Sequence, residues 1–136
     1  MPRILALDYG LKRTGVATTD PLQLIVTPLE TVETTNLESY LKTYFSKEEV
    51  EKVVLGLPLD VDGNPTDSTH AVEKFKKQFE KLFSIPIVLQ DEYNTSKMAS
   101  RSMIDGGFKK KHRQKKGNLD MLSAVHILKR YLGEEL

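Results

Sequence analysis

Acidic side chains stand at three separated points of the sequence, each at the border of a predicted element. Asp8 closes the first apolar run, and Asp91 with Glu92 closes the fifth. Asp120 opens the last helical pattern. A buried group of carboxylates is costly unless a cation neutralises it, and Mg²⁺ or Mn²⁺ suits carboxylate and phosphate oxygens. Two such ions about 3.5–4 Å apart clamp the attacking and leaving oxygens of a phosphodiester. The acids therefore indicate metal-dependent phosphodiester hydrolysis.

A basic stretch lies immediately before the third acid. Residues 109–116 carry six Lys or Arg and no acid, and because the whole chain carries only +1, the remainder carries −5. Such local charge attracts polyanions, so we expect this stretch to hold a nucleic-acid backbone. Its cations are Lys109, Lys110, Lys111, Arg113, Lys115 and Lys116.

Apolar periodicity predicts the elements that must position these groups. The predicted strands are residues 4–8, 15–19, 23–32, 52–57 and 85–90, and the predicted helices are 37–45, 72–83, 96–105 and 118–132. Short links predict that the first three strands form an antiparallel meander, and the continuous apolar run KVVLGL is typical of a central parallel strand. We therefore expect an α/β fold with a five-stranded mixed sheet flanked by helices.

The predicted topology brings the three acids to one edge. The carboxyl ends of the first, fourth and fifth strands meet there, where functional groups gather in open α/β sheets. Asp120, Ala124, Ile127 and Tyr131 share one stripe of the last helix, so Asp120 is expected to point towards the sheet.

Each of these features also has a plainer interpretation. Asp8 could be an ordinary turn residue, and Asp91 and Glu92 could belong to a solvated loop. Asp120 could interact with the helix dipole, and the basic stretch could be a solvated loop. The convergence of three acids and one basic stretch at one edge favours the functional interpretation.

Length and composition limit the class of protein. A chain of 136 residues predicts one domain over residues 1–136. No apolar window is long enough to span a membrane, and the N-terminus has no signal-peptide pattern, so a cytoplasmic protein is expected. There are no cysteines, and the three histidines lack the spacing of zinc ligands.

Four motifs follow one another along nearly the whole chain. They are ILALDYGLKRTGVATTD at residues 4–20, VLGLP at 54–58 with Asp62-Gly63, Asp91-Glu92 with Thr95-Ser96, and the stretch 109–120 with Ser123-Ala124 and Ile127-Leu128. In this order they resemble the YqgF/RuvX-type proteins of the RNase H-like superfamily. That family is described as Holliday junction resolvases and as nucleases of pre-16S ribosomal RNA.

The resemblance implies roles for the acidic residues. Asp8, Glu92 and Asp120 correspond to the family's catalytic carboxylates and would hold two Mg²⁺ or Mn²⁺ ions, with Asp91 as the second choice beside Glu92. The implied activity is cleavage of structured RNA or DNA, and the implied role is maturation of the 5′ end of 16S rRNA at or near ribosomal particles. Either a monomer or a homodimer is compatible with this activity.

One residue departs from the family's pattern. Tyr93 stands where the family usually has an arginine after the acidic pair. An arginine could bind phosphate through two hydrogen bonds, whereas tyrosine carries no charge. Lys12, Arg13 or Arg101 could supply the charge instead.

Three other functions compete with the pre-rRNA nuclease. A Holliday junction resolvase would use the same carboxylates on branched DNA. A non-catalytic factor that binds structured RNA would need only the basic stretch, and Tyr93 gives that alternative some support. An ATPase of the actin and sugar-kinase type would share the opening Asp-Tyr-Gly turn, but such enzymes enclose a nucleotide between two domains and this chain predicts one.

Overall fold

The structure is a computed structural model that describes residues 2–59, 62–93 and 116–133, with the backbone alone at residues 92–93 and 116–120. The predicted helix at residues 96–105 and the basic residues 109–115 lie outside the described residues. Within them, no helix is both long enough and apolar enough to cross a bilayer.

Five strands form one sheet in the order β3-β2-β1-β4-β5. The strands are β1 (Arg3–Asp8), β2 (Arg13–Thr19), β3 (Val26–Glu33), β4 (Val50–Leu59) and β5 (Ile87–Tyr93). The first three pair antiparallel, whereas β1 with β4 and β4 with β5 pair parallel. The predicted five-stranded mixed sheet, an antiparallel meander followed by parallel crossovers, is confirmed.

Helices cover both faces of this sheet and create two apolar cores. The described helices are α1 (Leu37–Lys47), α2 (Asp67–Leu82) and α3 (Lys116–Tyr131). Alternate residues of a strand lie on opposite faces, so β1 contributes to both cores. Leu5 and Leu7 pack on the side of α1 and α2, and Ile4 and Ala6 pack on the side of α3.

One predicted helix start is correct and another is wrong. Helix α1 begins at Leu37 as predicted. Thr35 and Glu38 have the spacing of a capping box, but no box forms, because residues Thr34–Asn36 make a 3₁₀ turn and α1 begins after Asn36 without a side-chain cap. A capping box forms instead at α2, where Thr66 and Thr69 exchange hydrogen bonds. The last helix is predicted to begin at residue 118 but begins at Lys116. Neither Lys116 nor Gly117 blocks helical geometry.

The fifth strand also extends beyond its predicted end. The apolar pattern stops at Gln90, but β5 continues to Tyr93 because β4 remains available for pairing, with Pro58 opposite Glu92 and Leu59 opposite Tyr93. Asp91 and Glu92 are therefore strand residues, not the start of a loop.

The loop between β2 and β3 is closed by one carboxylate. Asp20 accepts hydrogen bonds from the backbone N–H groups of Leu22, Leu24 and Ile25 at 3.2, 2.8 and 2.7 Å. These donors, that of Ile25 above all, hold the pKa of Asp20 below its usual value of 3.8. Gln23 adopts a left-handed conformation with φ of 59°, so the loop is a tightly determined turn.

Candidate active site

Asp8 ends the central strand on the side of the sheet that α3 covers. Ile4 and Ala6 are fully buried in the core beneath α3, and Asp8 continues their alternation as a half-buried residue. Its partner on β2 is Gly15. On the other side, Leu7 pairs with Leu55, and Gly56 follows Leu55 in β4. The carboxylate thus stands between two neighbours that have no side chain, which leaves room above the sheet.

Strand alternation separates the two acids of β5. Ile87 packs in the core on the side of α1 and α2, whereas Val88 packs against the core beneath α3. Position 91 shares the face of Ile87, and Asp91 is exposed. Position 92 shares the face of Val88, which is also the face of Asp8. The alternation of side chains along β5 could be predicted from the sequence, but the face that α3 covers could not.

Asp120 belongs to the end of α3 that lies away from Tyr131. Tyr131 accepts a 2.8 Å hydrogen bond from Lys52 Nζ, and Lys52 pairs with Ile4 at the start of β1. At about 1.5 Å per residue, position 120 lies roughly 16 Å from Tyr131 along the helix. β1 covers about 13 Å between Ile4 and Asp8. The backbone of position 120 therefore lies towards the carboxyl ends of the strands.

The predicted stripe of α3 is confirmed where its side chains are described. Ala124 and Ile127 are completely buried against the sheet, and Tyr131 packs at the edge of the same core. Ser123, beside this stripe, is also buried, and its hydroxyl has no hydrogen-bond partner among the described residues. The buried face of α3 thus runs towards position 120.

The turn that follows Asp8 is held by Thr34. The Thr34 backbone N–H donates to Lys12 O at 3.0 Å, and its hydroxyl donates to Gly10 O and lies 3.0 Å from the Thr14 hydroxyl. A Cβ at Gly10 would lie 2.5 Å from Arg13 O, so the turn requires glycine. Nothing in the sequence marked Thr34, because its partners are distant in the chain.

Only part of the predicted nucleic-acid surface is described. Lys12 is exposed and Arg13 is half-buried at the turn after Asp8, on the edge where β1 and β4 end. The backbone of Lys116 begins α3. Lys109, Lys110, Lys111, Arg113 and Lys115 lie outside the described residues.

The described residues allow a partial test of whether this site suits a divalent cation. Among residues whose side chains the structure describes, no three His, Asp or Glu side chains form a metal-binding group. Asp8 is the described candidate, and the remaining two candidates are known by backbone position. Carboxylate oxygens are hard donors of the kind that Mg²⁺ or Mn²⁺ requires.

Comparisons with known proteins cover the chain almost completely. A model of the RuvX family, described as Holliday junction resolvase, matches residues 2–134. The chain is 47% identical to a "Putative pre-16S rRNA nuclease" of Flavobacterium psychrophilum over 100% of both chains, and 50% identical to one of Christiangramia forsetii over 98% of this chain and 100% of that one. The fold is also similar to the fowlpox virus Holliday junction resolvase, with TM-score 0.49 and 15% identity over 98% and 99% of the two chains. From its match to the family model and its identity to these relatives, the chain belongs to the RuvX family.

Proposed function

We propose that this protein is a divalent-metal-dependent nuclease that hydrolyses phosphodiester bonds in the maturation of the 5′ end of pre-16S rRNA. The observation that carries the proposal is the half-buried carboxylate of Asp8 at the end of the central strand, between Gly15 and Gly56. The names of the curated relatives support the same reaction and the same RNA.

Asp8, Glu92 and Asp120 would hold the metal, and we expect two ions. Asp8 and position 92 share the face of the sheet beneath α3, and position 120 belongs to the end of α3 nearer the carboxyl ends of the strands. Bound there, Mg²⁺ or Mn²⁺ would supply activation of water and neutralisation of charge at the phosphate. Asp91, on the opposite face, is the second choice.

Cationic side chains would hold the RNA backbone across this edge. Lys12 and Arg13 follow Asp8 in a fixed turn, and the basic residues 109–116 precede Asp120 in the chain. Phosphate contacts of this kind position a substrate without reading its sequence, so specificity would arise from RNA shape. We expect the protein to act in the cytoplasm, at or near ribosomal particles, as a monomer or homodimer.

A second candidate function is resolution of branched DNA. It is favoured by the description of the matching family model as Holliday junction resolvase. The same carboxylates would serve either substrate, because hydrolysis of a phosphodiester needs the same metal site in both.

One cleavage assay tests the proposal and its competitor. Labelled 16S rRNA precursor and a four-way DNA junction would each be incubated with Mg²⁺ or Mn²⁺, and with chelator. We expect metal-dependent cleavage of the RNA by the native protein. Asp8→Asn should leave RNA binding intact. Loss of a residue that only hydrogen-bonds a metal ligand costs roughly 10–100-fold in activity, and loss of the ligand Asp8 should reduce cleavage by more than that.

Asp67→Asn is the matched control, since Asp67 is an exposed carboxylate in the first turn of α2 at the same edge. It should cleave at the native rate. Undiminished cleavage by the Asp8 variant would contradict the metal site, and preferential cleavage of the junction would favour the resolvase. Tight RNA binding without cleavage in any metal would support a non-catalytic RNA-binding factor.

A further inference from the structure

A pocket of about 150 Å³ opens one residue beyond Asp8, on the other face of the sheet. Because strand neighbours alternate, Tyr9 turns towards α1 and α2 whereas Asp8 lies towards α3. The Tyr9 ring stacks on Phe75 with centroids 4.6 Å apart and planes inclined by 21°. The rest of its apolar lining includes the buried side chains of Leu37, Leu41 and Phe79. The pocket therefore offers a flat aromatic wall at the same end of the sheet as the proposed metal site, on the opposite face.

Polar groups belong to the same pocket. Thr35, Glu38 and Gln78 line it and are exposed, so their oxygen and nitrogen atoms can reach both solvent and a bound molecule. Glu38 also pairs with Lys42 at 3.2 Å, an exposed ion pair that costs little to open. Carboxylate and amide groups of this kind can hydrogen-bond the edge of a nucleobase.

A second, cationic depression adjoins the pocket. It is lined by Leu11, Lys12, Arg13, Glu33 and Thr35, so the two share Thr35. The neighbouring Thr34 also lines the aromatic pocket, and its backbone N–H holds Lys12 O at 3.0 Å. An aromatic pocket and a lysine–arginine turn are thereby fixed side by side.

We propose that this pair of cavities binds one unpaired nucleotide of the substrate, with the base in the aromatic pocket and the phosphate at the Lys12–Arg13 turn. An apolar side chain of a partner protein would fill the pocket but make no use of the cations. A nucleotide uses both, because unstacked bases bind to aromatic rings and phosphates bind to Lys and Arg. The inference rests on the proposed function, which brings nucleic acid to this edge.

Photo-crosslinking locates the base without any substitution. A single-stranded RNA of about eight nucleotides, which is within the range of such binding sites, would carry 5-iodouridine at each position in turn. Irradiation would be done in chelator, so that binding is measured apart from cleavage. We expect crosslinks to Tyr9 or Phe75. Crosslinks confined to Tyr40, Tyr44 or the basic stretch would overturn the proposal.

A combined change of protein and RNA tests the energetics. Loss of one base–aromatic stack weakens binding about 5- to 150-fold, so Tyr9→Leu and Phe75→Leu should weaken binding of the RNA within this range. Tyr9→Phe should bind as the native protein does. An RNA with an abasic position at the crosslinked nucleotide should bind equally weakly to the native protein and to Tyr9→Leu. The proposal would be overturned if the abasic RNA and Tyr9→Leu weakened binding independently, so that their losses of binding free energy added.

Two further variants protect the test against unfolding. Tyr40→Leu removes a half-buried tyrosine outside the pocket and should leave RNA affinity unchanged. Gln78→Ala removes an exposed side chain from the pocket and is expected to fold; it should weaken binding of the native RNA but not of the abasic RNA. Equal effects of Gln78→Ala on both would contradict a base in the pocket. Since all these measurements omit metal, they stand whether or not the protein cleaves RNA.

Discussion

Asp8 shows how much of a site can depend on residues that contribute no side chain. Its strand neighbours Gly15 and Gly56 leave the space beside the carboxylate open, and Gly10 allows the chain to turn tightly after it. A side chain at either strand neighbour would compete with whatever the carboxylate binds. The acid is therefore both accessible and firmly held, since β1 is paired on both sides.

The two acids of β5 should differ sharply in importance. Position 92 lies on the face of Asp8 and position 91 on the opposite face. Glu92→Gln should therefore reduce metal-dependent cleavage by more than about 100-fold, whereas Asp91→Asn should cleave within a few-fold of the native rate. Initial rates with labelled precursor RNA provide the measurement. The two variants are matched controls for each other, and the reverse order of effects would contradict the assignment.

Asp20 should make stability depend on pH. Because backbone donors lower its pKa in the folded protein, the ionised carboxylate stabilises the fold above the unfolded value near 3.8, and this stabilisation is lost as pH falls through the folded pKa. Asp20→Asn should lower Tm at pH 7, and the difference from the native protein should shrink in acid. Glu49→Gln, an exposed acid near the same end of the sheet, should leave Tm at pH 7 nearly unchanged. A constant Tm difference for Asp20→Asn at every pH would contradict this prediction.

At the residue scale, the sequence predicted candidates better than their arrangement. Asp8 and the stripe of α3 followed from apolar periodicity. The choice between Asp91 and Glu92 did not follow from periodicity. Both faces of β5 are covered, and alternation alone does not identify the face beneath α3. Thr34 was invisible for another reason: its hydrogen bonds reach Gly10 and Lys12 across more than twenty residues.

The connection between β3 and α1 shows one element positioning another. Thr34 opens the 3₁₀ turn before α1, and its backbone and hydroxyl hold the turn between β1 and β2. The segment that begins a helix on one side of the sheet thus fixes the cations beside Asp8.

Thr34→Val should loosen that turn. It keeps the shape of the side chain but removes the hydroxyl bonded to Gly10 O and Thr14, and each such bond contributes about 0.5–1.5 kcal/mol. We expect a lower free energy of unfolding in denaturant and weaker RNA binding, with both restored in Thr34→Ser. Thr27→Val, at an exposed position of β3, is the control. Equal stability of Thr34→Val and the native protein would show that the hydroxyl is dispensable.

Element boundaries were less predictable than element types. Periodicity identified all five strands and the three described helices, although β3 buries only Val32. It could not see pairing, which carried β5 on to Tyr93 through its hydrogen bonds with β4. It also could not see that α2 would be capped by Thr66 and Thr69, a box that lacks the usual acidic residue.

At the scale of the whole molecule, charge is divided along the chain. The basic residues 109–116 carry six cations, while the rest of the chain has net charge −5. A net acidic remainder repels a polyanion on average, so RNA is expected to approach the basic segment first. Whole-chain net charge of +1 conceals this division.

Replacement of Lys109, Lys110 and Lys111 by Gln should therefore reduce the salt dependence of RNA binding. Each lost phosphate contact to a single strand lowers the slope of log K against log salt by about 0.7, so the triple variant should lose about 2. The matched control replaces Lys74, Lys76 and Lys77 of α2. A fluorescence titration at several salt concentrations gives the slopes. Equal losses in both triple variants would indicate diffuse attraction, without a localised basic site.

The second core has a consequence for synthesis of the protein. α3 follows the five strands in the chain, yet among the described helices it is the one that covers the face that carries Ile4, Ala6 and Asp8. A nascent chain that lacks α3 therefore has an incomplete second core and lacks Asp120. The fold is completed only when this helix has been synthesised, and nuclease activity would begin no earlier.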